Sequence, residues 1–448
     1  MSKEDYKLII PFGVVLTAVI ISIMVNINKE GFTNNETLPM NKLSPISGYP
    51  IFLNEYPSRL GVDPMLINYI RTLKSKLEQI PRGIYQIDNN GQYVRNLTKP
   101  TNPLCPVIII PGLGATTIYG SWNNDGFKKI WPSSDEYKDK IGIINNDGKL
   151  SNINGVKTIL DSFGSHDFGV PTEKLIETLK AMGYESGKNM FGAGYDFRKI
   201  TDEEEINSWC MSLTNLIEKT CSLTGKRVVL IGHDMGCQIV NYYLVKSLKE
   251  WKDRYIKSFI NVSGTYGGTP KSLRTLLSGH KEYKNFSGLQ MMLPYSDIYG
   301  DNPLVSINEN VYTSYNIDKL LGMVGIKETN NTKNMRYISM KPPGVRVYMI
   351  CGEGLDTESS YQYDRTFLEE PKVNYPVYQI NLQNKQKFNY SDYYVGDGTM
   401  PKFALEYPIF WSKYQKEPVF FQFFRNTEHT KILSMEGPLK YIVGSLTE

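Results

Sequence analysis

The run of apolar and polar positions divides the chain into three stretches. Residues 8–25, LIIPFGVVLTAVIISIMV, are 18 positions without a charge, just the length that crosses a hydrocarbon core. The rival reading is a cleaved leader. A leader's apolar stretch is shorter, and Asn26-Ile27-Asn28-Lys29 lacks the small residues of a cleavage site. The pattern therefore predicts one transmembrane helix as a membrane anchor within residues 1–26. Lys3 and Lys7 precede it and Lys29 follows it, so charge orients it only weakly. Residues 27 to about 62 are rich in Asn, Pro and polar side chains and read as a tether. Asp63-Pro64 then supplies an N-cap and a proline at the first helical position. Leu66, Ile70, Leu73, Leu77 and Ile80 follow at alternating spacings of four and three, one apolar stripe of a helix. The stripe is expected to dock on the main domain; a lipid surface or a partner is the alternative. This second stretch closes at residue 103.

From residue 104 short apolar strands alternate with helical patterns. Val107–Ile110 and Val228–Ile231 are runs of Val, Ile and Leu bounded by Pro, Arg and Gly, and Val419–Phe424 reads as the last strand. Helical segments are predicted over 170–182, 203–222, 235–249 and 433–443. This alternation predicts an α/β fold with a mostly parallel sheet covered on both faces, filling residues 104–448. Composition changes little: 41% hydrophobic, 21% charged and a formal charge of +4 over 448 residues describe an ordinary folded chain. With no basic run and no recognition motif, no nucleic-acid partner is expected. Cys105, Cys210, Cys221, Cys237 and Cys351 show neither CxxC nor zinc spacing, so no metal site is expected.

Chemistry enters at Gly232-His233-Asp234-Met235-Gly236, between a strand and an apolar helix. This is the G-x-S-x-G nucleophile elbow with aspartate at the serine position, the glycines making room for a sharp turn. A tight turn without chemistry is the bland alternative. In folds that use this elbow the acid and then the histidine follow the nucleophile. Of the four histidines, His166 precedes the elbow and His233 lies inside it. His280 follows a basic helix and suits a surface role, whereas His429 lies between the last strand and a terminal helix, where a loop can present it. His429 is the choice. For the acid, Asp397 in Gly396-Asp397-Gly398-Thr399 stands out against the alternative of an ordinary Asp-Gly turn. Pro111-Gly112-Leu113-Gly114 leaves the first core strand, and the backbone N–H groups of Leu113 and Met235 are the candidate oxyanion-hole donors.

These blocks resemble the lecithin:cholesterol acyltransferase family, in the style of its lysosomal phospholipase A2 branch. The resemblance runs from about residue 104 to 443. It rests on VIIIPG at 107–112, GAGYDFR at 192–198, VVLIGHDMG at 228–236, WKDRYI at 251–256 and YGGTPKSLR at 266–274, then GVRVY at 344–348, GEGL at 352–355, GDGT at 396–399 and Glu428-His429. It implies an α/β-hydrolase core, a lid near 119–150 whose Trp122, Phe127 and Trp131 touch lipid, and a cap near 280–345. It also implies cleavage of a glycerophospholipid ester through an acyl-enzyme, with transfer to water or a lipid alcohol and no cofactor. A phospholipid or other acyl lipid and a membrane are the implied partners. A secretory or lysosomal habit places the domain on the lumenal or extracellular side. The chain departs from the family at Asp234 and in lacking a cysteine pair that closes the lid.

Aspartate changes the chemistry. A serine hydroxyl deprotonated by histidine gives an ester that water or an alcohol resolves. A carboxylate attacking a carbonyl gives a mixed anhydride, higher in energy than the ester it came from. Carboxylate nucleophiles suit displacement at saturated carbon, and GHDxG is similar to the elbow of epoxide hydrolases and haloalkane dehalogenases. Three readings stay open: a family acyltransferase or phospholipase, an aspartate-nucleophile hydrolase of epoxides or halides, and an inactive lipid- or protein-binding pseudoenzyme.

Overall fold

The two all-apolar runs sit side by side at the centre of a six-stranded sheet. In chain order its strands are β1 (Val107–Ile110), β2 (Met190–Gly192), β3 (Val228–His233), β4 (Ile256–Val262), β5 (Val347–Glu353) and β6 (Val419–Arg425). Their spatial order is β6-β5-β4-β3-β1-β2, and every adjacent pair is parallel. Parallel strands covered on both faces need apolar residues at every position, and β1 and β3 are buried throughout. Val229 pairs with Val107 and Gly232 with Ile110. The chain leaves β1 toward β2 on one side and returns to β3 on the other. The ends of β1 and β3 therefore flank the point where strand order reverses, the place where open α/β sheets form a crevice.

The computed structural model describes residues 104–121, 128–131, 172–278, 286–364 and 396–447, with 86–87, 93–94, 143–144, 150–151, 157–160, 283–284, 366–367 and 371–374. The span 8–25, the stripe from Leu66 to Ile80, Trp122, Phe127, His166 and His280 lie outside them. No helix among the described residues is long and apolar enough to cross a membrane.

The helices are α1 (Glu173–Met182), α2 (Glu203–Thr224), α3 (Met235–Lys246), α4 (Lys249–Tyr255), α5 (Pro270–Ser278), α6 (Asn330–Ser339) and α7 (Glu436–Thr447), with shorter turns between. α1 buries Leu175, Ile176, Leu179 and Met182, the spacing of a one-faced helix, and ends on Gly183 in the left-handed region (φ 102°). These residues join Leu439, Ile442, Val443 and Leu446 of α7 against Val107, Ile109, Val229, Ile231, Ile260 and Ile350 of the sheet in one core. The helix predicted over 235–249 is two helices. Ser247 turns extended (φ −80°, ψ 141°) and its hydroxyl donates to the Tyr243 carbonyl at 2.8 Å, which ends α3. α3 is buried from Met235 to Leu244, with α6 packed against it.

Two smaller sheets flank the core. Lys128–Trp131, Ile118–Ser121 and Lys157–Leu160 form a three-stranded antiparallel sheet across the segment expected as a lid. Strand Val305–Ile307, within the segment expected as a cap, pairs with Asn310–Tyr312 and with Ser360–Tyr363 beyond it.

Candidate functional site

β3 ends at His233 and α3 begins at Met235, so Asp234 alone makes the turn. Its backbone lies at φ 53°, ψ −128°, a conformation that costs a non-glycine residue about 1–3 kcal/mol. Hydrogen bonds hold it there: the Asp234 N–H donates to the Val262 carbonyl, and its own carbonyl accepts from the Cys237 N–H, both at 3.1 Å. The two elbow glycines answer to close approach. A Cβ on Gly236 would lie 2.4 Å from the Pro111 carbonyl oxygen, and one on Gly232 would lie 3.0 Å from the Cys237 Cα.

The strained turn aims the carboxylate at two partners. Asp234 Oδ1 lies 2.9 Å from His429 Nε2. Oδ2 accepts the Leu113 N–H at 2.7 Å, and the Met235 N–H also helps to hold the carboxylate ionised. On the far side of the imidazole, Nδ1 donates to Asp397 Oδ2 at 2.6 Å. The other Asp397 oxygen accepts the Thr399 and Met400 N–H groups at 3.1 and 2.8 Å, and the His429 N–H donates to the Asp397 carbonyl at 2.9 Å. The five residues singled out in the sequence thus meet at the ends of β1, β3 and β6, and all three ionisable groups are buried.

Burial opposes ionisation of Asp234. The hydrogen bond and charge of His429, with His233 and the Met235 N–H, outweigh it and hold this carboxyl below its usual range. Burial would likewise lower His429, but the charges of Asp397 and Asp234 and the hydrogen bond to each raise its imidazole to about 10. The resting arrangement is an imidazolium between two carboxylates. His233 is pushed the other way, by burial and then by the charge of His429.

Other residues also build the site, some of them within the blocks quoted from the sequence and some, such as Thr357, outside them. His233 Nε2 faces the His429 carbonyl at 3.0 Å, a supporting place for a histidine excluded from the triad by its position in the elbow. The fully buried Thr357 hydroxyl accepts the Gly396 and Gly398 N–H groups at 3.0 and 3.1 Å and shapes the loop around Asp397. Lys271 Nζ donates to the Gly398 carbonyl at 2.5 Å and Thr269 to that of Thr399 at 2.6 Å, so the start of α5 holds the same loop. On the opposite side, Trp131 Nε1 donates to the Gly114 carbonyl at 2.6 Å. Its ring lies 5.2 Å from Phe197, which lies 5.6 Å from Phe286. A Cβ on Gly288 would meet Leu113 Cδ1 and Met235 Cε, so the helix Ser287–Met291 covers both candidate oxyanion residues. The five cysteines are free thiols. Among the described residues no His, Cys, Asp and Glu cluster is arranged to hold a metal ion.

Residues 169–297 and 301–436, which carry the elbow, Asp397 and His429, match the family model for lecithin:cholesterol acyltransferase. The chain belongs to the lecithin:cholesterol acyltransferase family. Within it, the chain is similar to a lysosomal phospholipase A and acyltransferase of Bos taurus, 27% identical over 286 residues, covering 60% of this chain and 65% of that protein. It is also similar to a phosphatidylcholine-sterol acyltransferase of Mus musculus, 25% identical over 321 residues, covering 66% of this chain and 69% of the other. The chain thus spans less than two thirds of the bovine protein's length. Among solved structures, the Tle4-Tli4 complex matches with a TM-score of 0.43 and 11% identity over 77% of this chain and 98% of that one, too remote a likeness to add to the assignment.

Proposed function

We propose that the protein takes acyl-ester lipids at this site as a phospholipase A or lipid O-acyltransferase of its family, with Asp234 holding ordinary ester turnover low. Asp234, Asp397 and His429 are the catalytic group, and the Leu113 and Met235 N–H groups the oxyanion hole. The observation that carries this reading is the continuous hydrogen-bond chain from Asp397 through His429 to the elbow, beside the Leu113 donor. Family membership, and relatives named for phospholipase A and acyltransferase activity, support a glycerophospholipid ester as the substrate.

The geometry also supports reading Asp234 as an obstacle. Ester cleavage through an acyl-enzyme needs a hydroxyl on His429, a neutral imidazole to take its proton, and a vacant pair of N–H donors for the carbonyl oxygen. Here one carboxylate occupies the place of the hydroxyl, takes the Leu113 donor and keeps the imidazole charged. Asp234→Ser restores all three conditions. The expected outcome is a gain of at least roughly 100-fold in fatty acid release from phosphatidylcholine vesicles, the scale attached to a single oxyanion donor, together with labelling by a fluorophosphonate. Asp397→Asn or His429→Ala on that background removes the gain. Wild-type protein as fast as Asp234→Ser would refute the argument.

The relatives' lysosomal names and the charge-free span 8–25 support a membrane-anchored protein whose folded domain lies in a lumen or outside the cell. The acceptor triplets at Asn35, Asn96, Asn285, Asn330 and Asn389 fit that side, and Asn330 is exposed at the start of α6.

A further inference from the structure

The two oxygens of Asp234 are committed to different partners, and that division decides which electrophile the site accepts. Oδ2 holds the Leu113 N–H at 2.7 Å, where the carbonyl oxygen of a bound ester would need to develop charge. An ester cannot use that donor until the protein's own carboxylate leaves it. An alkyl ester formed on Asp234 itself meets no such conflict. Its carbonyl oxygen is Oδ2, already seated on the donor, and its bridging oxygen is Oδ1, already beside His429 Nε2 at 2.9 Å. The site is thus fitted to an ester whose acyl half is Asp234.

We propose that Asp234 is a nucleophile toward saturated carbon and that the chain hydrates an epoxide carried on an aliphatic chain to the vicinal diol. The lipid character of that substrate rests on the function proposed above; the covalent step does not. In the first half-reaction an Oδ1 electron pair forms a bond to one epoxide carbon. The ring C–O bond breaks, its electron pair goes to the ring oxygen, and that oxygen takes the Nε2 proton of the His429 imidazolium. The products are a 2-hydroxyalkyl ester of Asp234 and a neutral imidazole. In the second, water attacks Asp234 Cγ while Nε2 removes one of its protons, and negative charge gathers on Oδ2 at the Leu113 and Met235 N–H groups. The Cγ–Oδ1 bond then breaks, and the departing alkoxide takes the remaining water-derived proton from the new carboxyl group. Epoxide and water give diol, and the carboxylate and imidazolium are restored.

The electrostatics of the resting site run with this sequence. Two carboxylates hold His429 charged, as an acid for the ring oxygen requires. Alkylation of Oδ1 removes one negative charge, which returns the imidazole toward the neutral base that water needs. Asp397 stays oriented throughout, fixed by the Thr399 and Met400 N–H groups. An epoxide is preferred to a halide because its leaving oxygen uses the proton that His429 holds. An aliphatic carrier is preferred because the donor loop carries Leu113 and is bonded through the Gly114 carbonyl to Trp131, which begins an apolar run through Phe197 to Phe286.

The test is a single turnover of the full chain with 9,10-epoxystearate in oxygen-18 water, followed by peptide mass mapping. Because Oδ1 leaves with the diol, the expected result is an unlabelled diol and one heavy oxygen in the peptide that contains Asp234. His429→Gln removes the acid of the first half-reaction and the base of the second, so it is expected to slow both adduct formation and diol release roughly 100-fold or more, while Asp234→Ala forms neither diol nor adduct. Heavy oxygen in the diol, or no diol and no adduct, overturns the proposal. If that happens while Asp234→Ser cleaves phospholipid, the acyl-lipid reading stands without this one. If the adduct forms while Asp234→Ser stays silent, this one stands alone.

Discussion

A single side chain gives this site its character, and it does so through charge as much as through shape. His429 titrates near pH 6.5 in an unfolded chain, and its folded value is raised to about 10. A group raised by folding contributes stability that is fully present below its unfolded pKa and is lost as pH climbs through the folded one. The wild-type domain should therefore lose stability between about pH 6.5 and about 10. Asp234→Asn keeps the Asp397 partner but removes the second negative charge, so its loss should be smaller and complete at lower pH. Urea midpoints measured across that window for both proteins check this, and parallel curves would show that Asp234 does not hold the imidazolium. Asp234, Asp397 and His429 could be singled out as candidates in the sequence because glycine spacing and chain order are local patterns. The destination of Oδ2 could not. Leu113 and Asp234 are 121 positions apart, and only the folded backbone brings that N–H to that oxygen. Thr357 was equally invisible, since a lone threonine hydroxyl bonded to a loop some 40 residues later leaves no periodic trace.

Among the elements, the exits of β1 and β3 determine how much room the elbow has. Gly112 is where the exit of β1 meets the Asp234 side chain, because a Cβ there would lie 2.8 Å from both Cβ and Oδ2 of Asp234. Gly112→Ala is expected to push the residue at position 234 away from the Leu113 N–H. Placed on Asp234→Ser, it should remove the gained phospholipase activity by roughly 100-fold, the cost of losing an oxyanion donor, while the melting temperature stays close to that of the parent. Unchanged activity in the double variant would show that the exit of β1 yields instead. β1 and β3 were readable because unbroken Val, Ile and Leu runs have few other places to go, and β6 was read as the last strand, whereas β2, β4 and β5 were not picked out. The break after α3 was not readable either, since Ser247 ends the helix through its own backbone turn and a hydroxyl contact, in a stretch whose apolar spacing continues. The pairing of Val305–Ile307 with Ser360–Tyr363 joins segments on either side of β5, a relation no local pattern carries.

At the scale of the whole molecule, the acyl-lipid substrate proposed above and the charge-free span 8–25 point to the same place, a membrane surface. The full-length chain is expected to stay with membranes through alkaline carbonate extraction, and a chain beginning after residue 26 to be released by it. Release of the full-length chain would refute the anchor, and a protease-protection assay reads the side. The sheet adds a matter of timing. β6 is the last of the six strands to leave a ribosome, and His429 follows it within four residues. Until β6 arrives, β5 presents an open edge, the kind of backbone that pairs with other chains, and Asp234 lacks the His429 imidazole. Completing the sheet and bringing His429 to Asp234 are one event in synthesis, so no growing chain assembles this hydrogen-bond chain while the β5 edge is still open.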